Sequence, residues 1–252
     1  MSVHADAQAG VEEGSRIVEK AIAAAGGHAL WRSIQTLELQ VRLGGRVLPG
    51  KGVALSPEGS RATFVRGSGQ LRLELFSRPS ATGVAATDGT VWIEDAAGEV
   101  IERRDSGRRA FPAKRWDELH YTYFGGYALR NYLSAPFLLA EPGFEVRRLG
   151  SSRLFGKRAD RVEVVFPETF VTHSRRQVFH FDEEGLLVRH DYTAEPIARW
   201  PGAAHLCAEH RTIDGLRLPT RRWVVPRLLG RALPGPRLIT LEIDQVRIVR
   251  NQ

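Results

Sequence analysis

The sequence predicts a mainly β protein: an antiparallel sheet preceded by one helix and interrupted once by a helical insertion. Three observations predict it. Apolar and polar side chains alternate through many short runs, as in Leu37-Glu38-Leu39-Gln40-Val41-Arg42-Leu43, the period of a strand with one buried face. Turn signals such as Pro57-Glu58-Gly59, Gly67-Ser68-Gly69, Asp88-Gly89 and Asp214-Gly215 separate the runs, and gaps this short join antiparallel neighbours. Helical character is confined to residues 12–25 and about 112–139.

In chain order, Ile17, Val18, Ala21, Ile22 and Ala25 recur at helical spacing until Gly26-Gly27 stops them, which predicts an N-terminal helix over 12–25. A turn at 28–34 with Trp31 as anchor follows. Strands are expected near 37–43, 51–56, 61–66, 70–76, 82–87, 90–94 and 99–104. In the insertion, Trp116, Leu119 and Tyr123, then Tyr127, Tyr132, Leu133, Phe137 and Leu138 predict two short helices around Gly125-Gly126, with Pro136 ending or bending the second. Strands resume at 144–150, 159–166, 174–182, 186–193, 203–213, 217–225 and 238–249. Between the last two, residues 226–237 hold three prolines, two glycines and three arginines and read as a long basic loop. Neither a composition break nor a fixed repeat divides the chain, so residues 1–252 are expected to form a single domain.

Composition narrows the function. The 36 basic and 29 acidic residues leave a net charge of +7, and the basic residues are almost all arginine, which suits carboxylate and phosphate partners. The basic residues are scattered and no nucleic-acid-binding motif occurs, so nucleic acid is not an expected partner. Cys207 is the only cysteine, which excludes an intramolecular disulfide and a cysteine-rich metal site. The first twenty residues lack the basic and apolar regions of a signal peptide, and no apolar run is long enough to span a bilayer; a cytoplasmic location is the expectation. Nucleotide loops, the GxSxG elbow and HExxH are all missing.

Residues 173–222 concentrate chemistry: five of the eight histidines, the cysteine and an Asp-Tyr pair. If the 174–193 hairpin turns through a three-residue loop with Gly185 left-handed, Val178, His180, Val188, His190 and Tyr192 share one face, and Phe179, Phe181, Leu187 and Arg189 the other. A loop of two or four residues inverts the pairing. On the next strand His205, Cys207 and Glu209 share a face opposite Leu206, Ala208 and His210, and register decides whether His205 or His210 falls beside His190. Histidines on neighbouring strands can act as acid and base near neutral pH. The catalytic candidates are therefore His190, Tyr192, His205, His210 and Asp191. His180, Arg222, Trp116, Tyr123, Tyr127 and Phe137 are candidates for binding a ligand. No cofactor and no metal is expected; His180, His190 and His205 or His210 would be the only zinc set, on runs whose faces the sequence leaves open. Cys207 reads as a small core residue.

One N-terminal helix, about a dozen antiparallel strands and a helical insertion halfway is an order that resembles the periplasmic lipoprotein carriers of the localisation-factor A type and their mycobacterial lipid-binding relatives. The stretches YFGGYALRNYLSAPFLLAEPGF, FHFDEEGLLVRHDYTAE and AAHLCAEHRTIDGLRLPTRR are also similar to an uncharacterised bacterial family. The carrier resemblance implies a strongly curved half-barrel whose concave side wraps the helices and encloses an apolar cavity. It implies binding of a hydrophobic or amphiphilic, lipid-like molecule there, with histidine, tyrosine and arginine at the polar end. The alternative is a small-molecule enzyme using the His/Tyr/Asp cluster in the same cavity. Residues 226–237, basic and leucine-bearing, offer a peripheral contact with an anionic membrane.

Overall fold

The computed structural model describes residues 2–108, 111, 114–154, 156–197 and 202–251. Helix α1 (Ser2–Ala24) and the short α2 (Gly27–Ser33) lead into β1 (Ile34–Gly44), and a single turn, α3 (Val47–Gly50), follows. A meander comes next: β2 (Ser60–Val65), β3 (Gln70–Glu74), β4 (Thr82–Ala85), β5 (Val91–Glu94) and β6 (Val100–Arg104). Helix α4 (Glu118–Ser134) and a 3-10 turn (Phe137–Ala140) separate it from the second half. That half comprises β7 (Glu145–Leu154), β8 (Lys157–Val165), β9 (Arg176–Asp182), β10 (Leu187–Tyr192), β11 (Gly202–Ile213), β12 (Leu216–Leu228), β13 (Arg231–Ala232) and β14 (Ile239–Arg250).

All fourteen strands form one open antiparallel sheet in the order β6-β5-β4-β3-β2-β1-β14-β12-β11-β10-β9-β8-β7, with β13 added on β12. The chain leaves the sheet at one edge, β6, and re-enters at the other, β7. The connecting segment must cross the whole sheet, and it does so on the concave face, where α4 rests on β3, β4 and β5. β14 then closes the middle between β1 and β12. Inward-facing residues such as Leu37, Phe64, Leu73, Val162 and Phe179 join Ile22 of α1 and Phe124 of α4 in one contiguous core.

Local chemistry explains each helix. The α1 stripe of Val18, Ala21, Ile22 and Ala25 is buried, and α1 lies over β7 with Gly14 against the Arg147–Arg148 backbone. Asp117 caps α4: its side chain accepts from the His120 amide at 2.8 Å, and His120 Nδ1 accepts from the Asp117 amide at 3.2 Å. The helix stops at Ala135, held extended before Pro136, as the steric clash with a proline ring requires.

Several expectations need correction. The N-terminal helix begins well before residue 12, since the alanine-rich lead-in favours helix without supplying an apolar stripe to read. α4 is one helix, not two, and runs straight through Gly125-Gly126; a Cβ on Gly126 would overlap the Ala85 methyl, and one on Gly125 would come within 3.1 Å of Leu73. These glycines give close approach to β3 and β4 instead of a break. The expected start of the insertion, Pro112-Ala113, lies outside the described residues. No strand forms at 51–56: the Val53 amide donates to the Leu48 carbonyl, and the Lys51 carbonyl accepts from the Trp116 amide. Residues 226–237 are not simply a loop, because β12 continues to Leu228 and turns back as β13, forming an arm.

Candidate ligand-binding site

Register assembles the site. His190 of β10 faces His205 of β11, and Cys207 of β11 faces Arg222 of β12. Side chains at alternate positions share a face, so Tyr192, His190, His205, Cys207 and Arg222 all point to the concave side, where α4 covers them. Tyr132 of α4 packs edge-on to His205 with centroids 4.4 Å apart, and His190 stacks on Phe179 at 4.1 Å. His173, on the segment before β9, stacks on Tyr192 at 4.0 Å.

Hydrogen bonds link these rings. His173 Nδ1 lies 2.9 Å from the Tyr127 hydroxyl and its Nε2 lies 2.7 Å from that of Tyr132, which in turn lies 3.0 Å from the Tyr192 hydroxyl. A neutral imidazole has one donor and one acceptor nitrogen, so His173 accepts from one tyrosine and donates to the other. His190 Nε2 donates to Gln177 Oε1, while the Gln177 amide donates to Thr172 Oγ1 and the Ser174 carbonyl.

Burial sets the charge states. It pushes His173 down to about 3, with the Arg108 charge adding to the effect. His190 and His205 are held well below the usual histidine value, by burial first and by neighbouring positive charge, including Arg222, second. Burial raises the Cys207 thiol against the opposing pull of Arg222, so it is a thiol near neutral pH and no nucleophile. Tyr127, Tyr132 and Tyr192 are all raised by burial. The network is neutral except for Arg222.

Arg222 is only 2% exposed. It donates to the Tyr132 carbonyl at 3.0 Å and to Cys207 Sγ at 3.4 Å, and it lies 5.4 Å from the Tyr132 ring centroid. Among the described residues no carboxylate pairs with it, and its Nε, like Nδ1 of His205, is buried without a partner. A buried charge lacking a counter-ion costs several kcal/mol. Such a site gains most from an anionic or strongly accepting group brought in from outside.

Apolar space adjoins this polar cluster. A cavity of about 200 Å³ is lined by Tyr192, Ala203, Val224, Leu238, Ile239 and Phe124. Phe124 and Ile239 also border a smaller one of about 50 Å³, which reaches Tyr132, Tyr121 and Leu43. Tyr121 and Leu43 in turn border a third of about 150 Å³, with Trp116 at the N-terminal end of α4. The three form an interrupted crevice under the helix, pinched at Tyr121 and Phe124. Its middle cavity lies between α4 and strands β1, β3 and β14 and is bordered by Gly125 and Leu73, whose close contact helps seat the helix.

The structure thus brings together His190, Tyr192, His205, Arg222 and Tyr127, and places Trp116 on the crevice. Tyr123 packs against Phe111 and Tyr127, and Phe137 stacks on Trp31 at 4.4 Å; neither lines the crevice. His180 and Asp191 sit on the convex face. The 182–186 loop does turn through three residues with Gly185 left-handed at φ 86°, but Val188 is an extra residue in β10. The pairs change from Leu187–Phe181 to Arg189–His180, so Phe179, not His180, lies beside His190, and the three-histidine zinc set cannot converge. His210 is also elsewhere, bonded to the Leu187 carbonyl at 3.1 Å. Tyr132, His173 and Gln177 were not among the sequence candidates. The i, i+5 spacing of Tyr127 and Tyr132 carries no helical-face signal, and His173 lies outside any strand.

No family model matches the chain, and no curated protein matches it by sequence. Solved structures do. An outer membrane lipoprotein-sorting protein domain from Vibrio parahaemolyticus aligns at TM-score 0.56 and 11% identity, over 94% of this chain and 93% of that one. A LolA superfamily protein from Nitrosomonas europaea aligns at 0.55 and 11%, over 95% and 94%. A DUF1329 family protein from Desulfovibrio piger aligns at 0.53 and 10%, over 95% and 93%. The expected cytoplasmic location is overturned by these matches, because the fold is that of a sorting domain named for the outer membrane. In fold, the chain is a LolA-like half-barrel.

Proposed function

We propose that the protein binds a lipid-like amphiphile beneath α4, in the cell envelope, as a carrier does. The carrying observation is the crevice: two apolar cavities that adjoin the buried polar cluster at Tyr132 and Tyr192, and a third in line with them whose rim carries Arg115, Asp117 and Glu118. Each is smaller than the roughly 300–1,000 Å³ of a drug-sized site. Rotation of Tyr121 and Phe124, or movement of α4 off the β14 side, joins them into a channel for an alkyl chain. Apolar burial supplies the affinity, at about 0.8 kcal/mol per methylene. Arg222 and the Tyr132–Tyr192 hydroxyls receive the polar end, which favours an acidic head such as a carboxylate. The names of the matched structures, lipoprotein sorting among them, support the same reading.

The experiment is native mass spectrometry of the protein as purified and after titration with dodecanoate. Bound lipid-like mass or dodecanoate is expected with the natural chain. Ala203→Phe, which fills the largest of the three cavities, is expected to lose it while keeping its circular dichroism. Retention of the ligand by Ala203→Phe, or no binding by the natural chain, would overturn the reading.

A further inference from the structure

The convex face carries a second cavity, larger than those under α4. It measures about 860 Å³ and lies between the β12–β13 arm and strands β7 to β10. Its floor is a built polar cluster. Arg189 donates to both Asp191 oxygens, at 2.6 and 2.9 Å, and to the Gly230 carbonyl at the tip of the arm, at 2.8 Å. His180 Nε2 lies 3.3 Å from Asp191. Arg189, Asp191 and His180 are all buried. Their role is to fix the arm against the sheet, and in doing so they occupy Asp191, the one carboxylate that lines the cavity among the described residues.

Four more arginines line the same space: Arg153, Arg161, Arg227 and Arg231. Among the described residues no carboxylate pairs with Arg153, Arg161 or Arg231. Arg227 lies 3.8 Å from the already saturated Asp191, and its Nε is buried without a hydrogen bond. Unpaired guanidinium groups around a cavity match a phosphate group, which offers several acceptor oxygens. A lone phosphate would fill little of the volume, and the walls include Leu206, Trp223 and Val225.

The tip of the arm points to where the rest of the ligand belongs. Leu229 is 93% exposed, and Leu228 and Leu233 are exposed beside it. Leu229 and Gly230 both have positive φ, 47° and 78°, the two-residue hairpin geometry that asparagine and glycine favour. A leucine there is neither buried within the chain nor conformationally at ease, and an exposed apolar tip flanked by arginine suits a bilayer interface.

We propose that the convex cleft takes the phosphate headgroup of an anionic phospholipid while Leu229 enters the bilayer, so that the arm docks the protein on a membrane. The docking site is separate from the crevice under α4 and does not depend on what that crevice binds.

The test uses the full chain and three probes: inorganic phosphate, soluble dihexanoyl-phosphatidylglycerol, and phosphatidylcholine vesicles with and without phosphatidylglycerol. Calorimetry should show the short-chain lipid binding more tightly than inorganic phosphate. Arg161→Gln and Arg227→Gln should each weaken it by about fivefold, the effect of about one basic side chain at a lipid surface. Arg247→Gln, which removes the same charge elsewhere on the surface, should leave it unchanged. Leu229→Ser should lower sedimentation with the anionic vesicles and leave the affinity for the soluble lipid intact. Equal losses for Arg161→Gln and Arg247→Gln would overturn the site. Inorganic phosphate binding as tightly as the lipid would reassign the cleft to free phosphate and overturn the membrane role, as would vesicle binding unaffected by Leu229→Ser.

Discussion

At the residue scale, the candidate site is a set of ionisable groups kept neutral by burial around one cation. His173 shows what this implies for stability. It is held down to about 3 in the folded chain, whereas an exposed histidine titrates near 6.5. Between those values the unfolded chain binds a proton that the folded chain does not, so stability rises with pH across this window. The contribution of His173 is complete above about pH 6.5 and is lost as pH falls toward about 3, by up to about 1.4 kcal/mol per pH unit. His190 and His205, shifted in the same direction, add to the loss. Urea unfolding midpoints are therefore expected to fall steadily below about pH 6.5; midpoints flat down to the carboxylate range would contradict this assignment of buried neutral histidines. Of this cluster, His190, Tyr192, His205 and Arg222 were among the sequence candidates, because alternation on neighbouring strands lets them share a face, but it left His205 and His210 as equal alternatives until register chose His205. Tyr132 and His173 were not, because α4 and an irregular segment deliver them from outside the sheet.

At the element scale, α4 determines the crevice, and Gly125 borders its middle cavity. Gly125 and Gly126 cost about 1 kcal/mol each relative to alanine in a helix interior, and the return is backbone approach to Leu73 and Ala85. Gly83 on β4 does the same for Thr122 of α4. Substituting Gly126→Ala should raise helix propensity yet destabilise the protein by about 1–3 kcal/mol through overpacking. Ala85→Gly in the same chain should recover most of the loss. Chemical denaturation of the single and double variants checks it, and additive effects would show that the two positions do not touch. Glycine pairs read locally as a helix break; here the partner on β4 decides otherwise. The 226–237 segment follows the same rule, since its prolines and glycines mark a turn but the strand pairing of Arg227 with Ala232 is invisible until β12 is placed.

At the scale of the whole molecule, one open sheet carries two faces with different chemistry. The concave face holds the apolar crevice and a nearly neutral polar end; the convex face holds an arginine-lined cleft. Because the concave ligand fits only the folded sheet and helix, its binding should couple to global unfolding. Dodecanoate at about 100 times its dissociation constant adds about 2.7 kcal/mol to stability. For a chain of this size that corresponds to a rise in Tm of about 5–10 °C. Differential scanning calorimetry tests this, and a Tm that stays constant across a saturating titration would count against a site under α4.

Most of the strands, the turns between them, their antiparallel character, the helix–sheet sequence and the concentration of chemistry in residues 173–222 are written in the sequence; the missing strand at 51–56 and the added β13 are not. The features written there follow from local periodicity and from residues with strong backbone preferences. Only the tertiary structure decided which face each side chain occupies. Val188, one extra residue in β10, put His180 on the face opposite His190 and beside Asp191, because a strand has a period of two and a single insertion reverses every face beyond it. The tertiary structure likewise decided that Gly125-Gly126 continue a helix and that Tyr132 completes the polar cluster. Close approach and strand register depend on a partner far away in sequence, which no local pattern encodes.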